Sequence, residues 1–182
     1  MTETIVVLGD SLSAGFGLEI RESWVSLLQQ RLTDEGYGYS VVNASISGDT
    51  TAGGLARLPR VLERHRPRIV IVELGGNDGL RGLPVPRLRA NLDEMISLAV
   101  QAGARVLLTG IQIPPNYGPH YARAFAEVFP TVARERGVPL IDFILKDVAL
   151  DPDLMQADGI HPNAAGQPVI LETVWPVLAE LL

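Results

Sequence analysis

The chain of 182 residues contains no cysteine. That absence removes disulfide frameworks, zinc–thiolate sites, iron–sulfur clusters and thiol nucleophiles together. It leaves the redox compartment open, because a chain without thiols suits either kind. Lysine is nearly missing as well: of the 15 Lys and Arg residues, only Lys146 is a lysine. One residue would have to carry every Schiff-base or phosphate-clamp role, so most lysine chemistry is excluded. Positive charge is short overall, with 21 Asp and Glu giving a formal charge of −6. That balance argues against a nucleic-acid binder, which normally carries a basic footprint. Long apolar runs are lacking too. Ile5–Leu8 and Ile69–Val72 are four residues each, against the roughly 20 needed to span a bilayer.

What is present is ordinary globular material, 47% hydrophobic and 20% charged, which suits a folded chain and not a disordered one. At this length the expectation is one domain, residues 1–182, with a core large enough to need no staples. The apolar pattern alternates between two periods. Strands are expected at Ile5–Leu8, Tyr39–Asn43, Ile69–Leu74 and Arg105–Thr109, with a weaker fifth at Pro139–Phe143. Helical spacing is expected over Glu22–Glu35, Thr51–Arg66, Val85–Gln101, His120–Arg136 and Asn163–Leu182. Pro59 should kink or divide the second of these, and Pro168 and Pro176 are awkward in the last. A proline-rich loop, Ile111–Pro119, and an irregular stretch, Asp147–Asp158, complete the chain. Repeated strand–helix alternation with short connections predicts a three-layer α/β/α sandwich around a five-stranded parallel sheet.

In such a sheet, ligands bind beyond the carboxyl ends of the strands. Four polar or glycine-rich segments are expected there: Gly9–Ser13, Asn43–Asp49, Gly75–Asp78, and Asp158–Pro162 ahead of the last helix. Singly, each reads as a turn or a cap. Together they contain every group that serine hydrolysis requires. Ser11 stands at a strand-to-helix turn, where its hydroxyl can project from the sheet edge. Asp158 and His161 are three residues apart, so one turn lets the carboxylate reach the imidazole. Gly48 can offer an unobstructed backbone N–H, and Asn77 a side-chain amide. With Ser11 N–H, these make a plausible set of oxyanion donors.

These four blocks, in this order, resemble the SGNH hydrolases, also called the GDSL esterase/lipase family. Ser47–Gly54, Glu73–Gly82 and Pro114–Gly118 look like its bacterial thioesterase I/lysophospholipase subgroup, whose members are also called multifunctional esterases or arylesterases. The resemblance covers essentially the whole chain. It implies a flavodoxin-like fold, Ser11 as nucleophile, His161 as general base and Asp158 as its orienting partner. It implies Ser11 N–H, Gly48 N–H and Asn77 Nδ2 as the oxyanion hole, with Asp10 supporting them from behind. Ser13 stands where the Gly-x-Ser-x-Gly elbow of α/β-hydrolases would need glycine, which argues against that fold.

For substrate, Gly76, Leu80, Ile111, Ile113, Pro114, Tyr117 and Ile160 are the expected walls of an apolar groove. Gly75, Gly76, Gly79 and Gly82 would let the loop after strand three move over it. The resemblance implies small-molecule esters or thioesters: fatty acyl-CoA, lysophospholipids, or aryl and short-to-medium-chain esters. No cofactor is expected. The carboxylates Asp49 and Asp78 lack metal-ligand spacing and suit capping or turn roles better. His65 and His120 read as surface residues. Acetylated carbohydrates are the alternative substrate. A phosphate- or nucleotide-binding module is the non-enzymatic one, weakened by the missing Walker lysine and Gly-x-Gly-x-x-Gly segment. A monomer without membrane insertion is expected, periplasmic or secreted with its leader outside this sequence, and otherwise cytoplasmic.

Overall fold

The structure, a computed structural model, describes residues 2–182. Its strands are β1 (Glu3–Gly9), β2 (Tyr39–Asn43), β3 (Ile69–Glu73), β4 (Arg105–Thr109) and β5 (Leu140–Ile141). Its helices are α1 (Ser11–Ala14), α2 (Trp24–Asp34), α3 (Thr51–His65), α4 (Gly76–Leu80), α5 (Val85–Gln101), α6 (Pro119–Arg136) and α7 (Gly166–Ala179). Every strand pair is parallel, in the order β2-β1-β3-β4-β5. Helices α3, α5 and α6 pack side by side, and α2 packs on α7. This is the expected three-layer sandwich. Ile69, Val70, Ile71 and Val72 are wholly inaccessible to solvent, as a strand covered on both faces must be.

The strand order reverses between β1 and β3, where a crevice opens at the carboxyl edge of the sheet. Both strands end there in parallel register, with Gly9 opposite Glu73. Whatever follows these two residues is delivered to the same place.

Of the kink or division expected at Pro59, the division does not occur. Helix α3 runs unbroken from Thr51 to His65, and α6 and α7 likewise continue through Pro130 and Pro176. All three prolines lie on exposed faces while the buried stripes on either side pack into the core. Burial of those stripes outweighs the roughly 3 kcal/mol that an internal proline costs. Two short helices, α1 and α4, stand where turns were expected. Strand β5 shrinks to two residues. The last helix begins at Gly166, after Asn163 Oδ1 accepts the Gly166 N–H at 3.1 Å.

Candidate active site

Strand β1 closes at Gly9 and the chain turns at once into α1. Asp10 caps this helix, its Oδ1 accepting the Leu12 N–H at 3.0 Å. Gly15, at φ 78°, ends it after one turn, in a conformation that suits glycine. Ser11 is therefore the first residue of a helix, where the backbone N–H has no intrahelical acceptor. Asn43, at the end of β2, donates to the Ser13 carbonyl at 2.8 Å and ties α1 to the neighbouring strand.

The structure brings Ser11, His161 and Asp158 into one chain of hydrogen bonds, although 150 residues separate the serine from the histidine. Ser11 Oγ lies 2.9 Å from His161 Nε2, and His161 Nδ1 lies 2.6 Å from Asp158 Oδ2. The carboxylate can only accept, so Nδ1 carries the proton and Nε2 is left to accept from the serine hydroxyl. Asp158 Oδ1 accepts the N–H groups of Ile160 and His161 at 2.9 and 3.0 Å. The bond from His161, followed by these two amides, pulls the Asp158 carboxyl down to about 2. Asp158 is therefore ionised throughout the neutral range. Phe16 covers one face of the imidazole, with ring centroids 4.3 Å apart.

The further oxyanion candidates come from the turn after β2 and from helix α4, held against each other. Gly48, exposed and at φ 82°, sits in the turn after β2. Arg81 donates to the Gly48 carbonyl at 2.9 Å, and Asn77 Nδ2 donates to the Asp49 carbonyl at 2.9 Å. Asn77 Nδ2 also lies 3.5 Å from Asp10 Oδ2. Asp49 accepts from Arg57 Nε at 2.8 Å, and the same guanidinium donates to the carbonyls of Gly9 and Ala44. Asp78, buried, accepts from the Thr51 amide at 2.8 Å and the Thr51 hydroxyl at 2.6 Å. Asp49 and Asp78 thus do structural work at this edge, and no cluster of potential metal ligands occurs among the described residues.

The expected groove residues divide. Pro114, Tyr117 and Ile160 are exposed, whereas Gly76 and Leu80 are half-buried. Ile111 and Ile113 keep only 8% and 7% of their surface, so they belong to the core that supports this edge. Two of the four glycines after β3, Gly76 and Gly79, lie in a helix and not in a loop. Gly76–Leu80 is helical, and a Cβ on Gly79 would come within 2.7 Å of Ile113 and 2.9 Å of Phe125. Gly75 and Gly79 allow close packing, whereas a Cβ on Gly82 would meet open space. Apolar surface not anticipated from the sequence also adjoins the triad: Phe16, packed on His161, is about half exposed.

Three further residues escaped sequence reasoning. Gln156 donates through Nε2 to the carbonyls of Phe16 and Pro162, at 2.8 and 3.0 Å, and its N–H reaches the His161 carbonyl at 2.8 Å. It joins the nucleophile turn to the segment carrying the histidine. Arg57 braces the ends of β1 and β2. Glu73, buried at the end of β3, accepts the Ser13 hydroxyl at 2.6 Å. A charged residue closing the otherwise apolar run Ile69–Val72 was the one visible sign of it.

Residues 7–169 match the GDSL-like Lipase/Acylhydrolase family. The chain is 56% identical to Esterase TesA of Pseudomonas aeruginosa over 180 residues, covering 99% of this chain and 90% of that protein. It is 46% identical to Thioesterase 1/protease 1/lysophospholipase L1 of Escherichia coli K12, covering 93% and 80%. Among solved structures, the psychrotrophic esterase EstA of a Pseudoalteromonas species, inhibited by monoethylphosphonate, superposes with a TM-score of 0.94. The two are 42% identical, with 98% and 97% of the chains covered. Fold, sequence blocks and relatives agree, and the chain belongs to the GDSL-like lipase/acylhydrolase family.

Proposed function

We propose that this protein is a serine esterase and thioesterase that hydrolyses small carboxylic esters through an acyl-enzyme on Ser11. The observation that carries the reading is the continuous Ser11–His161–Asp158 relay, at 2.9 and 2.6 Å. Ser11 Oγ attacks the ester carbonyl as His161 Nε2 takes its proton. The tetrahedral oxyanion that forms is met by Ser11 N–H, Gly48 N–H and Asn77 Nδ2. His161 returns the proton to the departing alcohol or thiol, and water then releases the acid by the same route. Asp158 stays anionic and stabilises the imidazolium. No step calls for a cofactor.

The names of the relatives support ester and thioester substrates with an acyl chain. Apolar surface at the relay supports the same class: Phe16, packed on His161, and Ile160, next to it in the chain, are each about half exposed. No helix of the described residues is long and apolar enough to cross a membrane. The proposal includes a monomeric enzyme in the periplasm or outside the cell, checked by light scattering and by fractionation of producing cells.

Turnover of p-nitrophenyl esters of graded acyl length by wild type and Ser11→Ala tests the reading. Hydrolysis without added cofactor, extending to chains longer than acetyl and abolished in Ser11→Ala, is expected. Turnover by Ser11→Ala at the wild-type rate refutes the nucleophile. Activity confined to acetyl esters refutes the substrate class.

A further inference from the structure

Behind Ser11 lies a second cluster of polar groups that the relay does not use. Glu73 and Asp10 are both 2% exposed and Ser13 is wholly buried. Two carboxyl groups in one apolar site cannot both ionise without a cation to face them. The charged or titratable groups around the pair come from three other elements. Asp49, on the loop before α3, adds negative charge, and His161 faces Asp10 from the loop before α7. Arg57 of α3 spends its guanidinium on Asp49 and on the carbonyls of Gly9 and Ala44. No described side chain donates a full positive charge to Glu73.

The backbone is shaped around this carboxyl. Gly9 pairs with Glu73 across the sheet, and a Cβ on Gly9 would lie 2.9 Å from both Glu73 Oε1 and Ser13 Oγ. Glu73 Oε1 accepts the Ser13 hydroxyl at 2.6 Å. Asp10 stands beside this carboxyl, close enough that its own carboxyl and its backbone N–H both act on Glu73. Asp10 in turn holds the Leu12 N–H at 3.0 Å and approaches Asn77 Nδ2 at 3.5 Å. One carboxyl therefore holds Ser13 and neighbours Asp10, on either side of Ser11, and Asp10 in turn borders the amide proposed for the oxyanion.

We propose that Glu73 is a positioning residue for ester hydrolysis. It is a protonated carboxylic acid that donates to Asp10, accepts from Ser13, and so fixes the turn presenting Ser11 together with the Asn77 amide. This inference rests on the proposed reading of Ser11 as the nucleophile. Burial, and then the charge of Asp10, push the Glu73 carboxyl well above the usual carboxylate range, and burial raises Asp10 to about 6. Both directions agree with a single proton held between the two groups, on Glu73.

The test has two independent readouts. The first is the infrared spectrum of the intact protein at neutral pH, wild type minus Glu73→Gln. The carbonyl stretch of a protonated buried carboxylic acid is expected in the difference, and its absence overturns the proposal. The second is kcat and KM for Glu73→Ala and Glu73→Gln, with folding checked by thermal melting. Glu73→Ala leaves two buried partners unsatisfied, so kcat should fall roughly 10- to 100-fold while KM changes by less than about twofold. Glu73→Gln keeps one donor and one acceptor and should rescue most of that loss. An unchanged kcat in Glu73→Ala, or a glutamine variant as impaired as the alanine one, overturns the proposal. If Glu73→Ala does not fold, Ser13→Ala decides the kinetic part: kcat falls severalfold at constant KM, and an unchanged kcat overturns it. Activity surviving in Ser11→Ala would defeat the nucleophile reading and leave the infrared result standing, so the two failures are distinguishable.

Discussion

The two arms of the candidate site are built in opposite ways. The nucleophile arm, Gly9–Ala14, grows out of a fully buried strand and is held by groups from three other elements: Asn43 of β2, Arg57 of α3 and Glu73 of β3. The base arm, Asp158–His161, sits on an irregular exposed stretch and is held mainly by itself. Asp158 accepts two amides and the imidazole within three residues, and Gln156 adds a link across to Phe16. The difference shows in the carboxyls. Those of the buried arm are pushed up by desolvation, whereas that of the exposed arm is pulled down by hydrogen bonds. Tertiary structure positions the serine; local chain geometry positions the histidine.

Removing either end of the relay should erase the contrast altogether. His161→Ala is expected to lower kcat by about 10⁶, as for triads that act as a unit. Asp158→Asn should cost roughly 10⁴, because the imidazole loses its fixed tautomer. Stopped assays with a long-lived chromogenic ester measure both. A loss of less than tenfold in either variant would remove that residue from the mechanism.

Asn77→Ala probes the meeting point of the two arms. One oxyanion donor is worth about 10²–10³ in kcat, and Asn77 also holds the Asp49 carbonyl. The fold should survive, since Asp78 keeps its bonds to Thr51. Near wild-type kcat would contradict its role.

Two structural variants then separate tertiary from local positioning. Gly9→Ala drives a methyl into Glu73 and Ser13, at 2.9 Å from each, and overpacking of this kind costs about 1–3 kcal/mol. Both Tm and kcat should drop. Gln156→Ala removes two exposed or part-buried bonds and should lower kcat about 5- to 20-fold with little change in Tm. A large loss of Tm in Gln156→Ala and none in Gly9→Ala would invert the comparison.

Much of this was legible in the sequence, for identifiable reasons. Residues that follow a parallel strand share one edge, so Ser11, Gly48 and Asn77 could be placed together from strand periodicity alone. The three-residue spacing of Asp158 and His161 could be read the same way, because that contact is local. Glu73 could not be read, since its bond to Ser13 spans 60 residues and depends on register between β1 and β3. The groove was misjudged for a related reason. Ile111 and Ile113 follow a strand as polar loop residues do, but the close approach of α4, permitted by Gly79, buries them. Pro59 and Pro176 stay inside their helices because their penalty is local and the burial that overrides it is not.

The smallest effects concern pH and stability, and the arms should differ in sign. Asp158 has a lowered carboxyl, near 2. Its contribution is present above its unfolded value, about 3.9, and is lost as pH falls toward 2. Glu73 has a raised one. Its contribution is fully present below its unfolded value, about 4.3, and is lost as pH rises above it. Melting temperatures from pH 2 to 8 check both. Wild type should lose stability relative to Asp158→Asn on acidification, and relative to Glu73→Gln on going from acid to neutral. The same sign for both arms would break the comparison.

The central claim is that the relay makes Ser11 the one reactive hydroxyl. Intact-mass measurement and peptide mapping after treatment with a p-nitrophenyl alkylphosphonate test it most directly. One adduct per chain is predicted, on Ser11, accumulating in step with loss of esterase activity and absent in Ser11→Ala. Loss of activity with the adduct on any other residue, or full labelling of Ser11 with activity retained, would contradict it.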